Sequence, residues 1–239
     1  MMSLPARALF CVLACTAMIA CSRYSRSTGG TSEAERQPLW DFRSPQIDRQ
    51  PQGISVTLRS YIERANWCRT ADRQARTTGA LTTSQANGSF TAPGVQQTAS
   101  TLAIHCSSDQ KLETRLVISD ATGVASDLEV PPQAVILATF DLNHDSASEL
   151  LLGETMGQRN DSVRTAQLVA LSKGNLKTIE DFGQVYEDPC ERDSKATMTA
   201  LVINYLPLGH EVMPKFSAEV YRAPCVPPGT QPDWKRVGR

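Results

Sequence analysis

The sequence predicts a mainly β fold: an antiparallel sheet assembly with propeller-blade-like repeats, one N-terminal helix and two disulfides. Three observations carry this expectation. Short apolar runs of strand length alternate with turn signals through most of the second half of the chain. Related blocks recur at a spacing near fifty residues, a period that suits four-stranded units. Four cysteines, Cys68, Cys106, Cys190 and Cys225, flank the repeated region in an even number.

The chain opens "MMSLPARALFCVLACTAMIACSRYS". Arg7 is the only charge before an apolar run over residues 8–20. That run falls short of the ~20 residues a spanning helix needs. A charged start, a short apolar core and a small residue before a cut describe a secretory signal. Residues 1–20 are therefore expected to be a signal peptide. Residues 21–50 are rich in Ser, Arg, Gly, Pro and Gln, and are expected to be a flexible tether. Residues 51–226 form the disulfide-stapled mainly β domain, and residues 227–239 a C-terminal tail. Within the domain, Ile54, Leu58, Tyr61, Ile62 and Ala65 recur at helical spacing, which predicts a helix from about Ser55 to Trp67.

Composition limits the partners. Lys and Arg number 24 against 25 Asp and Glu, for a net charge of −1. Removal of Arg7 with the signal shifts this to near −2. Nothing in this balance suggests nucleic acid. Of the seven cysteines, Cys11 and Cys15 lie in the signal. Four cysteines allow three pairings; Cys68–Cys106 with Cys190–Cys225 is favoured, because each pair brackets one end of the repeated region. Each bridge would close a loop of roughly 35–40 residues, worth ~3–4 kcal/mol by chain entropy. A zinc site would need paired C-x-x-C spacing, which these cysteines lack.

Strand candidates follow in order: "STLAIHC", "ETRLVISDATG" with a turn at residues 120–123, "QAVILATF", "SELLLGE", "AQLVALSKGN", "TALVINYL" and "FSAEVYRAPC". Asn87-Gly88 reads as a hairpin turn. "GSFTAPGVQQTASTLAI" parallels "ATFDLNHDSASELLLGE", with Phe90 and Phe140 fifty residues apart.

The stretch "FDLNHDSASELLL" carries the one pattern that suggests a ligand. Calcium takes six to eight oxygens from a tightly curled loop, in which alternate residues point inward. Asp141, Asn143 and Asp145 would supply side-chain oxygens, Ala147 a backbone carbonyl and Glu149 a carboxylate. Ca2+ would then be a structural ion. The other reading is a solvated turn whose Asp and Asn side chains bond their own backbone. Ser146 stands where such a curl favours Gly.

Other chemistry is sparse. There is no G-x-S-x-G, and only His105, His144 and His210 could act as a base. Glu187, Asp188, Glu191 and Asp193 surround Cys190, so a carboxylate hydrolase is an alternative, as is an assembly factor that binds a partner through a sheet edge. Trp40, Trp67 and Trp234 are scattered along the chain.

Two resemblances add to this reading. "MIAC", residues 18–21, resembles the lipobox of bacterial lipoproteins, with "VLAC" at residues 12–15 a second match. The resemblance implies acylation of Cys21 and anchorage to a lipid bilayer. Ser22, where Asp would imply inner-membrane retention, implies the outer membrane, facing the periplasm or the cell surface. "TFDLNHDSASELLLGE" resembles the FG-GAP/VCBS repeat of integrin-like β-propellers over about residues 88–183. The first copy has Thr91, Pro93 and Val95 where ligands would stand, and two or three units are too few to close a propeller. Together these observations predict a non-catalytic envelope protein with a structural or binding role toward an envelope protein or glycan.

Overall fold

The computed structural model describes residues 35–44, 55–65, 67, 77–106, 113–155 and 163–238. The fold is mainly β, with three antiparallel sheets and one α-helix among the described residues. The first sheet runs in the order β2 (Thr77–Gly88), β3 (Gln97–Cys106), β4 (Glu113–Ser119), β5 (Val124–Val130). The second runs β6 (Ala134–Phe140), β7 (Glu149–Thr155), β8 (Val163–Ser172), β9 (Asn175–Gln184). Both are simple meanders. The third runs β1 (Gln37–Asp41), β11 (Thr197–Leu206), β12 (Lys215–Pro224), β13 (Lys235–Arg236), and β10 (Tyr186–Glu187) also pairs with β11. The three sheets do not close into a propeller.

The three leucines of "SELLLGE" show how the sheets stack. Side chains alternate across a strand, yet Leu150, Leu151 and Leu152 are all buried. Leu150 and Leu152 enter a core with Phe90, Leu116, Ile118 and Ile136, shared with the first sheet. Leu151 enters a second core with Leu39, Phe42, Leu168 and Ile203, shared with the third sheet. Each leucine buried this way contributes ~1.5–3 kcal/mol of transfer free energy. The middle sheet is therefore covered on both faces, which explains an unbroken apolar run in place of alternation.

The helix covers the far face of the first sheet. Ser55 caps it, its side chain accepting from Leu58 N at 3.1 Å, and α1 spans Val56–Arg64. It ends before the expected Trp67. Its apolar side, Leu58 with Tyr61 and Ile62, packs on Leu102, Ile104 and Val117. One carboxylate fixes its angle. Asp127 of edge strand β5 accepts from Tyr61 Oη at 2.7 Å, Trp67 Nε1 at 2.6 Å and Arg115 Nε at 2.9 Å. Burial first, and then Asp127, push the Tyr61 hydroxyl up to about 12.

A hydroxyl seam joins the first two sheets. A register shift between Thr82 and Ser84 re-aims β2. Ser84 Oγ then bonds Thr101 Oγ1 and accepts from Ile136 N of β6 at 2.6 Å.

Several expectations need correction. Residues 37–42 belong to the domain and not to a tether: β1 pairs with β11, and Leu39 and Phe42 are buried. Two apolar side chains and an open sheet edge outweigh the polar composition around them. Asn87 and Gly88 do not turn. They pair with Thr98 and Gln97, and the loop follows at residues 89–96. Gly88 is required there by close approach: a Cβ would lie 2.7 Å from both Phe90 Cζ and Ser148 Oγ. A two-residue turn forms instead at Lys173 and Gly174, with φ of 52° and 78°; Ser172 pairs with Asn175 across it. The tail at residues 227–239 is also incorporated, since β13 pairs with β12. Of the two expected disulfides, Cys190–Cys225 is present with a Cα–Cα distance of 5.6 Å. The Cys68–Cys106 pairing, the signal peptide and Cys21 lie outside the described residues. No helix among the described residues is long and apolar enough to cross a membrane.

Two substitutions test these joints. Asp127→Ala strands three donors around a partly buried position and should lower unfolding free energy by about 3 kcal/mol in urea titrations. Gly88→Ala should cost ~1–3 kcal/mol by overpacking against Phe90 and Ser148.

Candidate functional site

The acidic loop, residues 141–148, connects β6 to β7. Its side chains are turned onto its own backbone. Asp141 Oδ2 accepts from Ser146 N at 3.2 Å, Asn143 Oδ1 from Asp145 N at 3.3 Å, and Asp145 Oδ1 from Ala147 N at 2.7 Å. Asn143 Nδ2 donates to Asp145 Oδ2 at 2.8 Å. His144 and Ser146 both hold positive φ, 59° and 66°, a conformation that disfavours residues with a Cβ. Glu149 lies apart from this exposed set: it is 3% exposed, and Oε2 accepts from Leu142 N at 3.0 Å. Burial pushes its carboxyl above the ordinary range. The charges of Asp145 and Asp141 push the same way, and the Leu142 N–H opposes them.

The preceding repeat explains this glutamate. Gln97, buried like Glu149, accepts from Phe90 N at 2.9 Å and Thr91 N at 2.8 Å. In both repeats the first residue of the second strand holds the backbone of an apolar residue seven positions earlier, Phe90 or Leu142. Gly88 and Phe140 close the first strands, and Gln97 and Glu149 open the second, so the structural offset is 52 residues. Phe90 therefore matches Leu142, and the pairing of Phe90 with Phe140 is two residues out of step. The composition of each loop hid this: both offsets align apolar residues, and only the hydrogen bonds distinguish them.

The acidic loop also ties the sheets together. Ser146 O accepts from Gly94 N, and Ser89 O accepts from Ser148 N, which joins the loop to residues 89–96. Asn143 O accepts from Glu211 N at 2.6 Å, which joins it to the β11–β12 loop.

A concave feature lies elsewhere. A cleft of about 750 Å³ opens at the third sheet, between Asp41 and Arg43 after β1, Tyr186 and Asp188 at β10, Met198 of β11, and the Pro-rich segment of residues 226–232 with Trp234. The disulfide places this segment, since Cys225 immediately precedes it. Arg43 forms a fork on Asp41, Nε to Oδ1 at 3.0 Å and Nη2 to Oδ2 at 2.6 Å, and stacks 4.5 Å above the Tyr221 ring. This fork holds Asp41 below the usual carboxylate range. Tyr186 Oη reaches Asp188 Oδ2 at 3.4 Å, and Cys190 N donates to Asp188 Oδ1 at 3.0 Å. Burial, then Asp188, push the Tyr186 hydroxyl up to about 12. Trp234 meets Tyr186 edge to face at 6.4 Å, and its Nε1 is buried with no hydrogen-bond partner.

Of the acidic residues near Cys190, only Asp188 lines the cleft. Glu187, Glu191 and Asp193 are exposed. None of His105, His144 and His210 lines it; all three are exposed on other elements. Among the described residues, one set of three has ligand atoms within 4.8 Å of one another: Asp188, Cys190 and Cys225. The two sulfurs form a disulfide and so offer no thiolate to a metal. Asp141, Asp145 and Glu149 do not form such a set. Sequence reasoning missed Arg43, Tyr186 and Trp234, which come together only through β1, β10 and the C-terminal segment. The Pro spacing of "VPPGTQPDW" was the one local sign of a shaped segment there.

The class of protein so defined is a three-sheet antiparallel β protein with a clasping loop and a peripheral cleft. Comparison with protein families, curated proteins and solved structures finds no match.

The raised carboxyl of Glu149 has a pH signature. The folded state binds its proton more tightly than the unfolded chain. Its contribution to stability is present below the ordinary value near 4.5 and is lost as pH rises through the higher folded value. Glu149→Gln keeps an acceptor for Leu142 N–H without the charge. In chelator-treated buffer it should match or exceed the wild type at pH 7, and the difference should vanish near pH 4. Glu149→Ala should lose about 1–3 kcal/mol at pH 7, because it strands a buried N–H. A Gln variant as damaged as the Ala variant would refute this account.

Proposed function

We propose that the chain is a lipid-anchored cell-envelope protein with a binding role, attached through acylated Cys21, and that the cleft at the third sheet is its binding site. One observation supports this most: a cleft of about 750 Å³, a size typical of ligand sites, is walled by a disulfide-pinned segment. Its carboxylates are occupied with structural partners. Asp41 is held low by Arg43, and Asp188 accepts from Cys190 N and meets Tyr186 Oη. The hydrolase alternative would need a carboxylate with a raised pKa beside a base, and the raised carboxyl, Glu149, sits in another loop. The sheet-edge alternative gains little from β9. Charged Lys177, Glu180 and Asp181 and two register shifts guard that edge, devices that discourage strand addition.

The resemblance to FG-GAP/VCBS repeats is supported in architecture by two four-stranded meanders with equivalent loops. A structural Ca2+ on Asp141, Asn143, Asp145, Ala147 and Glu149 is the second reading. What favours it is a buried carboxyl that feels the charges of two further carboxylates, a repulsion a cation would relieve.

Two measurements test these readings. Cys21→Ser should abolish palmitate labelling and move the protein from the membrane to the soluble fraction of the envelope; labelling that survives would remove the anchor. Calcium at about 5 mM exceeds the weak range of extracellular modules. It should raise the melting temperature of wild type and not of Asp141→Ala or Asp145→Ala; equal responses in all three would leave the loop as a self-bonded turn.

A further inference from the structure

The Cys190–Cys225 bridge stands in an acidic setting. Over residues 187–195 the carboxylates of Glu187, Asp188, Glu191 and Asp193 outnumber the cations of Arg192 and Lys195. One of these carboxylates comes close to the sulfurs: an Asp188 oxygen and both Sγ atoms lie within 4.8 Å of one another. Local bonds hold it there. Cys190 N donates to Asp188 Oδ1 at 3.0 Å, and Tyr186 Oη reaches Oδ2 at 3.4 Å. No Lys or Arg forms an ion pair with Asp188 among the described residues, so its charge is not cancelled locally. The Asp193 carbonyl oxygen also faces the bridge, 3.7 Å from Cys225 Sγ. Both cysteines are partly exposed, so a small thiol can reach them.

A disulfide is reduced by attack of a thiolate on one of its sulfurs. A bond forms between the reagent and that sulfur, the Cys190–Cys225 bond breaks, and the other protein sulfur leaves as a thiolate. A second reagent thiolate then displaces the first as the reagent's own disulfide. Two electrons pass from two thiols to the protein. The first exchange places an incoming and a leaving negative sulfur beside Asp188, and like charge disfavours both. At a separation of about 5 Å, in a water-like dielectric, one such repulsion slows a rate about fourfold.

We propose that Asp188 guards the Cys190–Cys225 bridge against anionic thiols, and so keeps the cleft wall of residues 226–232 fastened to the β10–β11 connection. This holds whether or not the cleft takes a ligand, so its test is separate from that of the binding reading.

The test uses the full-length protein in detergent micelles. It is treated with excess thiol, quenched with iodoacetamide at intervals, and read by mass spectrometry of the peptides that contain Cys190 and Cys225. The probes are 3-mercaptopropionate, 2-mercaptoethanol and cysteamine, whose thiolate forms are a dianion, a monoanion and a zwitterion. For each probe the rate of Asp188→Asn is divided by that of the wild type, which cancels the reagent's own reactivity. Asn keeps an acceptor for Cys190 N. The substitution should speed reduction by 3-mercaptopropionate about fourfold or more, by 2-mercaptoethanol less, and by cysteamine less than about twofold. Salt at about 1 M shortens the screening length to about 3 Å and should bring all three ratios toward one. In the wild type the same salt should raise the rate with 3-mercaptopropionate relative to that with cysteamine. Equal acceleration with all three probes overturns the proposal, because a carboxylate that only held the loop would act that way. An unchanged rate with 3-mercaptopropionate overturns it too. Should Asp188→Asn fail to form the bridge, the wild-type salt series decides, and a relative rate that salt does not move overturns the proposal.

Discussion

The rest of the structure depends on a single constraint: the second sheet is apolar on both faces. Leu150 and Leu152 look one way and Leu151 the other, and each must be covered. One cover is the first sheet and the other is the third. Neither cover can be lost without exposing a face of β6–β9. The first sheet then has its own outer face to bury, through Leu102, Ile104 and Val117, and α1 does this. The order helix, sheet, sheet, sheet follows from this succession of faces, and open sheets stack without a closed ring.

Apolar faces alone would let the sheets slide. Polar contacts fix their positions. Ser84 bonds the Ile136 N–H across the first interface, and the acidic loop bonds both residues 89–96 and the β11–β12 loop. Directional bonds of this kind add modest net stability, but they are costly to misplace because a buried group left unpaired loses its hydration. The same logic accounts for Gln97 and Glu149. Each must satisfy backbone N–H groups of a loop that buries an apolar residue. Gln97 does so as a neutral amide. Glu149 does so as a carboxyl pressed by burial and by Asp145 and Asp141. The second repeat thus carries a charge where the first carries none, at the same place in the fold.

The third sheet departs from the meander pattern, and this departure makes the cleft. It recruits strands distant in sequence, β1 and β10, to one side of β11, and returns the chain end through β13 on the other. The disulfide between Cys190 and Cys225 ties the β10–β11 connection to the start of the returning segment. Prolines stiffen that segment by fixing φ. Tyr186 and Trp234 meet edge to face in the lining of the same cleft. The space between this wall and the sheet is the cleft for which a binding role is proposed.

Much of this was legible locally. Runs such as "ETRLVIS", "AVILATF" and "ELLLGET" became strands, because their β-branched and apolar residues suit a pleated, buried surface. Ser55 and the 3.6-residue spacing after it became a capped helix. Asp120 with Gly123 became a turn, its carboxylate taking the Thr122 and Gly123 N–H groups. Residues 141–148 became a loop whose Asp and Asn side chains fold onto its own backbone. The failures share a cause. Asn87-Gly88 carries a turn signal but pairs in β2, because Phe90 and Ser148 close over it. Residues 37–42 look like a tether but complete the edge of β11, a partner more than 150 positions away. Asp41, Arg43, Tyr186 and Trp234 show no common motif. The sequence by itself determined which segments are strands, which is the helix, and where charge gathers, since propensity and periodicity act over a few residues. Only the tertiary structure decided the repeat register, the roles of Gln97 and Glu149, and the existence of the cleft, since those depend on which distant backbone groups and apolar faces must satisfy one another.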